Sequence, residues 1–422
     1  MKSQKTSLAL LAATLVIVMI GFGIAIPLMP YYITHFDASG SSMGLMMALY
    51  SLMQFIFAPF WGRVSDRVGR KPVLLLGIAG FAFSFTAQGL SQNLFQFIAI
   101  RALAGVISSA TLPTAMAYIA DTTTPENRAR GVGMLGAAMG LGMIFGPMLG
   151  GFLTKVRPPL PPGLAALLQV TTDPSTGLQI NLSIPFFVSA LLALIAIPLV
   201  AALLPESLPP ERRTQQATVG ERRSTALWQA LSGPSGFLFV LSFLLTFALA
   251  NMETVLALYG QLVFAMGPAQ VGLLMGAMGV LGVIQQGVVI GPLTRKIGEP
   301  RVIQLGLVAG IAGFAGLALA PTIVLYGVAA IVFNAGSALL QPSVTALISR
   351  RAVTGQGATM GLNQSFQSLG RAAGPLWAGF AFDIFSPLAF WTGAAIQLVA
   401  LGASLPLLPR LAPAQATPER QT

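Results

Sequence analysis

Glu253, in the stretch FALANMETVLALYG, is the one acid set deep inside a long apolar run. The other Asp and Glu residues, twelve acids in all, fall in polar stretches or at the ends of apolar ones. An ionisable group inside a hydrocarbon layer costs about 2.5–3.5 kcal/mol or more, so a functional role is the default, and proton uptake and release is the chemistry a carboxyl there suits. The plainer reading of Glu253 is a carboxyl neutralised by a structural Arg. Two guanidinium groups share such a setting, Arg101 in FIAIRALAG and Arg371 in LGRAAGPLW. Arg101 has no acid at helical spacing nearby, which leaves a proton-relay or field-setting residue, or a hydrogen-bonded helix clamp. Arg371 fits either a pair with Glu253 or a side chain that snorkels outward. A denser charge cluster, GRVSDRVGRK at 62–71, is confined to one tight turn between two apolar runs.

Other chemistries lack their residues. There are no cysteines and one histidine, His35, which removes disulfides, thiolate chemistry and iron–sulfur sites and leaves no basis for a structural zinc. GLLMGAMG at 272–279 lacks the Lys-Ser/Thr of a phosphate-binding loop, so ATP hydrolysis is not expected. No metal, cofactor or enzyme activity is expected.

The elements that position these residues are helices. Only 8% of the 422 residues are charged and 55% are hydrophobic, against about 25% charged in soluble domains. Runs of about 20 apolar residues suit helices crossing a membrane core, and the two-residue alternation of a barrel is missing. The chain reads as an all-α polytopic membrane protein with spans near 8–33, 41–61, 72–92, 95–119, 131–154 and 183–204, then 236–263, 269–293, 302–320, 322–348, 357–381 and 386–408. The domains are an N-terminal half at 1–204 with an external insertion at 155–182, a linker at 205–235, a C-terminal half at 236–408 and a tail at 409–422. Alternating the span ends places 19 of the 23 Lys and Arg residues on one side and only Lys155 and Arg157 on the other. By the positive-inside rule the richer side, with both termini, is cytoplasmic. The net charge of +11 is then a matter of topology and anionic headgroups, and no nucleic-acid partner is expected.

The chain repeats itself. GRVSDRVGRKPVLLLG at 62–77 aligns with GPLTRKIGEPRVIQLG at 291–306, bringing Gly69 onto Gly298 and Gly77 onto Gly306. GMIFGPMLGG at 142–151 aligns with GRAAGPLWAG at 370–379 at nearly the same displacement. Two parallel six-span repeats with a site between them form a transporter architecture.

Together these motifs resemble the major facilitator superfamily over essentially the whole chain. GRVSDRVGRK is similar to its signature between spans 2 and 3. GLGMIFGPMLGG at 140–151 resembles the fifth-span signature of its drug:proton antiporters, and IRALAG at 100–105 their fourth-span Arg motif. YIADTTTPENRARGVG is similar to tetracycline effluxers and NMETVLALY to NorA-type multidrug effluxers. The resemblance implies the major facilitator fold, with 12 transmembrane helices in two pseudo-symmetric halves. It implies a proton-coupled antiporter exporting small hydrophobic or cationic drugs by alternating access, working from the proton gradient with no cofactor, in the inner-membrane bilayer, and expected as a monomer. It makes Gly62, Asp66, Arg67, Gly69, Arg70 and Lys71 a cytoplasmic latch, in which Asp66 docks on the N-terminal end of span 11 and Arg70 pairs with Asp121. Arg295 stands where Asp66 has its second copy, so the latch is expected on one half only. Gly142, Gly146, Pro147, Gly150 and Gly151 form the antiporter hinge, where small residues allow close helix approach and Pro removes a hydrogen bond.

The proton-coupling set is Glu253 with Arg101 and Asp121. The substrate cavity is expected from Tyr50, Gln54, Asn251, Asn334, Gln341, Asn363 and Gln364, around Glu253 and with Met252, Tyr259 and Phe333 as apolar wall. The second acid that NorA-type proteins carry in span 10 has no counterpart in GSALLQP at 336–342. Two other readings stay open: a carrier of one metabolite or sugar, and a non-transporting receptor or lipid-handling scaffold.

Overall fold

The computed structural model describes residues 2–156, 167–209, 236–350 and 356–411. The linker beyond 209, the tail beyond 411 and the insertion's 157–166 lie outside the described residues, and with them Arg157, Arg212, Arg213, Arg222, Arg223, Arg351 and Arg420. In a hydrocarbon layer every backbone N–H and C=O must be satisfied within its own segment, which makes the apolar runs helical. Eleven helices among the described residues are long and apolar enough to cross a membrane. The twelfth long helix, Gln356–Ile384, carries Asn363, Gln364, Gln367, Arg371 and Asp383, which lower its hydropathy.

Span 1 is Lys2–Ala25, a tight turn at Ile26–Leu28, and Met29–His35. Spans 2 and 3 are Gly40–Val68 and Arg70–Gly89. Span 4 is broken into Leu94–Ser108 and Thr111–Thr122, because Pro113 has no N–H to offer the Ser109 carbonyl. Spans 5 and 6 are Pro125–Leu153 and Ser183–Leu203. Span 7 is Gly236–Phe264, and span 8 runs from Pro268–Ile284 through a π-helical segment, Gln285–Val289, to Ile290–Ile297. Spans 9 to 12 are Glu299–Leu319, Ile323–Arg350, Gln356–Ile384 and Leu388–Leu411. The insertion holds a small antiparallel hairpin, β1 (Val170–Thr172) with β2 (Gln179–Asn181), Thr171 opposite Ile180.

The charged turns are shorter than the sequence predicts. Residues 62–68 are helical, so the connection between spans 2 and 3 is Gly69 alone, at φ 115° and ψ 161°. The connection between spans 8 and 9 is likewise Gly298 alone, at φ 79° and ψ 156°. Both angles lie where only glycine sits without strain. Arg and Asp are tolerated in a helix that has reached water, so charge did not end these helices.

The residues group into two compact units. Of the described residues, the first holds 2–156, 167–209, 253–280 and 375–386; the second holds 236–252, 281–350, 356–374 and 387–411. Short pieces of spans 7, 8 and 11 thus group with the first six spans. In the first unit, Gly142, Gly146 and Gly150 of span 5 lie against the span 1 backbone at Met19, Gly23 and Ile24. In the second, Leu238, Leu241 and Leu245 of span 7 join Ile303 and Leu307 of span 9 and Leu340 of span 10 in a buried apolar core.

Candidate functional site

The charged turn after span 2 is a closed network. Arg70 pairs with Asp66 four residues back at 2.6 Å, and its Nε donates to Asp121 at 2.9 Å across to span 4. Its Nη1 donates to the Ser65 hydroxyl at 2.7 Å. Asp121 also accepts from Ser207 Oγ at 3.2 Å. Span 3 has no side-chain cap of its own. Glu206 serves instead, accepting from the Arg70 N–H at 2.8 Å and the Lys71 N–H at 3.1 Å, where free amides and the helix dipole favour an anion. Lys71 Nζ donates to the Ala201 carbonyl at 2.6 Å. In the sequence Glu206 is one of the acids in polar stretches. Its signal is an acid directly after a span, in PES, but nothing in the chain says which helix start it meets. Asp66 is seen here on Arg70, Arg67 is exposed, and Gly62 sits inside the helix facing open space.

The second repeat carries its own ion pair. Glu299, at the start of span 9, meets Arg350, at the end of span 10, at 2.9 Å. Glu299 lies 229 positions after Arg70, and Arg350 lies 229 positions after Asp121. The repeat keeps the position and inverts the charges. Alignment by identity, with Arg295 opposite Asp66, hid that correspondence.

Arg101 is buried in the first unit with its guanidinium 4.5 Å from the Tyr50 ring centroid and 5.9 Å from that of Phe22. Tyr50 OH lies 3.3 Å from Ser108 Oγ and accepts from Gln54 Nε2 at 2.9 Å. A cation over an aromatic face, away from water, is worth about 2 kcal/mol or more. Tyr50, expected on the cavity wall, thus meets Arg101 and ties span 2 to span 4, and Gln54, expected there too, braces the Tyr50 hydroxyl.

A cavity of about 620 Å³ opens in the second unit, between spans 7, 10 and 11. Gln341, Thr345, Ser349, Gln367 and Arg371 supply its polar groups, and Leu249 and Met360 part of its apolar wall. Gln341 Nε2 donates to Thr246 Oγ1 at 2.9 Å, and Gln367 Nε2 reaches Gln341 Oε1 and Ser242 Oγ at 3.3 Å each. Of the residues expected around a substrate cavity, Gln341 lines this one. Met252 and Asn363 are buried, and Phe333 packs on Phe314 with ring centroids 4.5 Å apart, because their helix faces turn toward neighbouring helices. Tyr259 is buried near Phe264 and Phe382, and Asn334 is partly buried. Glu253 is exposed, whereas 251–252 and 254–260 are all buried.

At the other end of the helices, the first unit is tied by close contacts. Asp383, in the last turn of span 11, accepts from the Gly40 N–H at 2.7 Å, the Ser41 N–H at 2.8 Å and the Ser41 hydroxyl, capping the start of span 2. Gly44 meets the Pro375 backbone and Gly379 meets Gly40. Tyr31 OH donates to the Met266 carbonyl at 2.7 Å, and Gly151 lies on Pro268. The hairpin joins this end: Asp173 holds Ser175 and lies against Gly267, and Gln169 meets His35 at 2.9 Å.

The sequence pattern of the Major Facilitator Superfamily matches residues 11–375. Multidrug resistance protein 2 of Bacillus subtilis (strain 168) is 31% identical over 405 residues, 95% of each chain. The class C tetracycline resistance protein of Escherichia coli is 30% identical over 412 residues, 96% of this chain and 97% of that one. The crystal structure of the human organic anion transporter MFSD10 (TETRAN) superposes with a TM-score of 0.64 at 22% identity, covering 95% of this chain and 99% of that one, a likeness of fold.

Proposed function

The chain belongs to the Major Facilitator Superfamily, and from that membership we propose that it is a proton-coupled antiporter exporting hydrophobic and cationic drugs. The names of its relatives, a multidrug and a tetracycline resistance protein, support drugs as the cargo. The observation that carries the coupling is Glu253, an acid left exposed on a helix whose neighbouring residues are all buried. In this reading protonation of Glu253 releases a cationic drug and deprotonation recharges the site. Arg101 fixes a positive field near Tyr50, and Asp121 serves mainly to anchor Arg70. The turn at 62–71 works as the cytoplasmic latch and the span 5 glycines as the hinge, while the halves 1–204 and 236–408 rock as a monomer in the inner membrane. Both termini face the cytoplasm, on the strength of the Lys and Arg distribution.

The test is drug-induced proton release from acid-loaded inverted vesicles, comparing wild type with Glu253→Gln. Drug-dependent alkalinisation of the lumen is expected in wild type and should fall to the drug-free baseline in the variant. Coupling that survives Glu253→Gln would move the proton site to another acid. No proton movement with any hydrophobic cation would instead support facilitated transport of a metabolite.

A further inference from the structure

Among the described residues lining the 620 Å³ cavity, Arg371 is the one charged group and none is an Asp or Glu. It is exposed and has no ion-pair partner among the described residues. It lies 15 residues from the start and 13 from the end of Gln356–Ile384, so about 20 Å of helix separates it from the nearer end at 1.5 Å per residue. That is well beyond the reach of an Arg side chain, so Arg371 does not escape to the headgroups by snorkelling. A permanent cation at that depth is expected to face a partner or a wet cavity; here it faces the cavity.

The surrounding amides leave its charge unanswered. Gln341 and Gln367 are held by Thr246, Ser242 and each other, and Thr345 and Ser349 add only hydroxyls. A guanidinium presents a planar fork of donors that matches a carboxylate in two parallel hydrogen bonds. The cavity has the size of a drug-sized pocket, and Met360 and Leu249 give it an adaptable apolar wall. We propose that Arg371, with the Gln341–Gln367 pair beside it, is a subsite for the carboxylate of an amphipathic substrate, so that the cargo includes zwitterions and organic acids as well as cations. This rests on the reading of the chain as a transporter, and names a specificity that the lone acid Glu253 does not supply.

Tetramethylrhodamine and its methyl ester test it, since the two dyes differ only in whether the carboxylate is free. Binding is read by fluorescence anisotropy on the purified chain in lipid nanodiscs, with no proton gradient. Wild type should bind the acid about tenfold or more tighter than the ester, and benzoate should displace the acid and spare the ester. Arg371→Gln should abolish the preference by weakening the acid while leaving ester affinity within about twofold, and Arg371→Lys should restore part of it. Equal or tighter binding of the ester by wild type, no binding of the acid, or a preference that survives Arg371→Gln overturns the subsite. The wild-type comparison decides even if the Gln variant misfolds. An intact preference with no proton coupling in vesicles would sink antiport and leave the subsite standing, and coupled export of cations alone would do the reverse.

Discussion

Among the described residues the Arg70 guanidinium has two carboxylate partners, and their exposure decides between them. Its own side chain is 5% exposed, Asp121 16% and Asp66 34%. An ion pair open to water contributes about 0–1 kcal/mol, whereas removing one partner of a buried pair costs about 3–5 kcal/mol. Asp121→Ala is therefore expected to lower the melting temperature of the purified protein clearly, and Asp66→Asn hardly at all. The reverse order would make Asp66 the anchor. The same comparison applies to Arg101, whose charge rests on the Tyr50 ring. Tyr50→Phe keeps that ring and should keep the melting temperature within a few degrees, while Tyr50→Leu should lose about 2 kcal/mol or more. Equal effects would mean that the Tyr50 hydroxyl, and not its ring, holds the cluster. The Arg70–Asp121 pair was readable through family resemblance, but Glu206 was not. Its bonds to the amides of Arg70 and Lys71 span 136 and 135 residues, and an acid opening a polar linker looks like any solvated charge. Arg101 was legible as a residue needing an explanation, and its aromatic partners emerge only when spans 2 and 4 lie side by side.

Among the helices, span 5 shows how glycine positions encode packing. A Cβ on Gly146 would overlap the backbone of Gly23, and one on Gly142 that of Met19, whereas Gly133 and Gly136 of the same helix have nothing within 4 Å. Gly146→Ala is expected to push span 5 off span 1, at the roughly 1–3 kcal/mol of an overpacked contact, and to slow transport. Gly136→Ala should be neutral or slightly stabilising, because it only removes glycine's entropy in a helix. If both variants behave alike in thermal stability and vesicle transport, span 5 glycines act through flexibility along the helix and not through contact with span 1. The glycine pattern itself was visible in the sequence, and so were the twelve long helices, though span 2 runs seven residues past its expected end and span 5 starts six before its expected beginning. Their partners were not, since small residues say that something approaches closely without saying what. The predicted loop at 62–71 failed for a related reason. A run of charges marks where a helix meets water, and span 2 continues to Val68 beyond that point.

Over the whole molecule, the duplicated plan is most exact where the residues differ. Gly69 and Gly298 keep their positive φ in both repeats, while Arg70–Asp121 returns as Glu299–Arg350 with the signs exchanged. Identity matching recovers the glycines and passes over the inverted pair, because only geometry shows that the ionic contact survived. Alternating access asks that contacts at one end of the bundle break as those at the other form. In this structure Asp383 closes one such contact, holding the first turn of span 2 through two amides and a hydroxyl, with Gly44 on Pro375 beneath it. An anion at a helix start is stabilised by free N–H groups and the dipole, so Asp383→Ala should loosen this end. The absence of native cysteine makes a single reporter clean. Met43 is 1% exposed one turn into span 2, and Met43→Cys should react slowly with a membrane-impermeant maleimide in intact cells. Adding Asp383→Ala should speed that labelling several-fold. An unchanged rate would mean that the apolar and glycine contacts hold this end closed without the carboxylate. Acceleration seen only in inverted vesicles would place this end on the cytoplasmic side, and the orientation drawn from the lysines and arginines would have to be reversed.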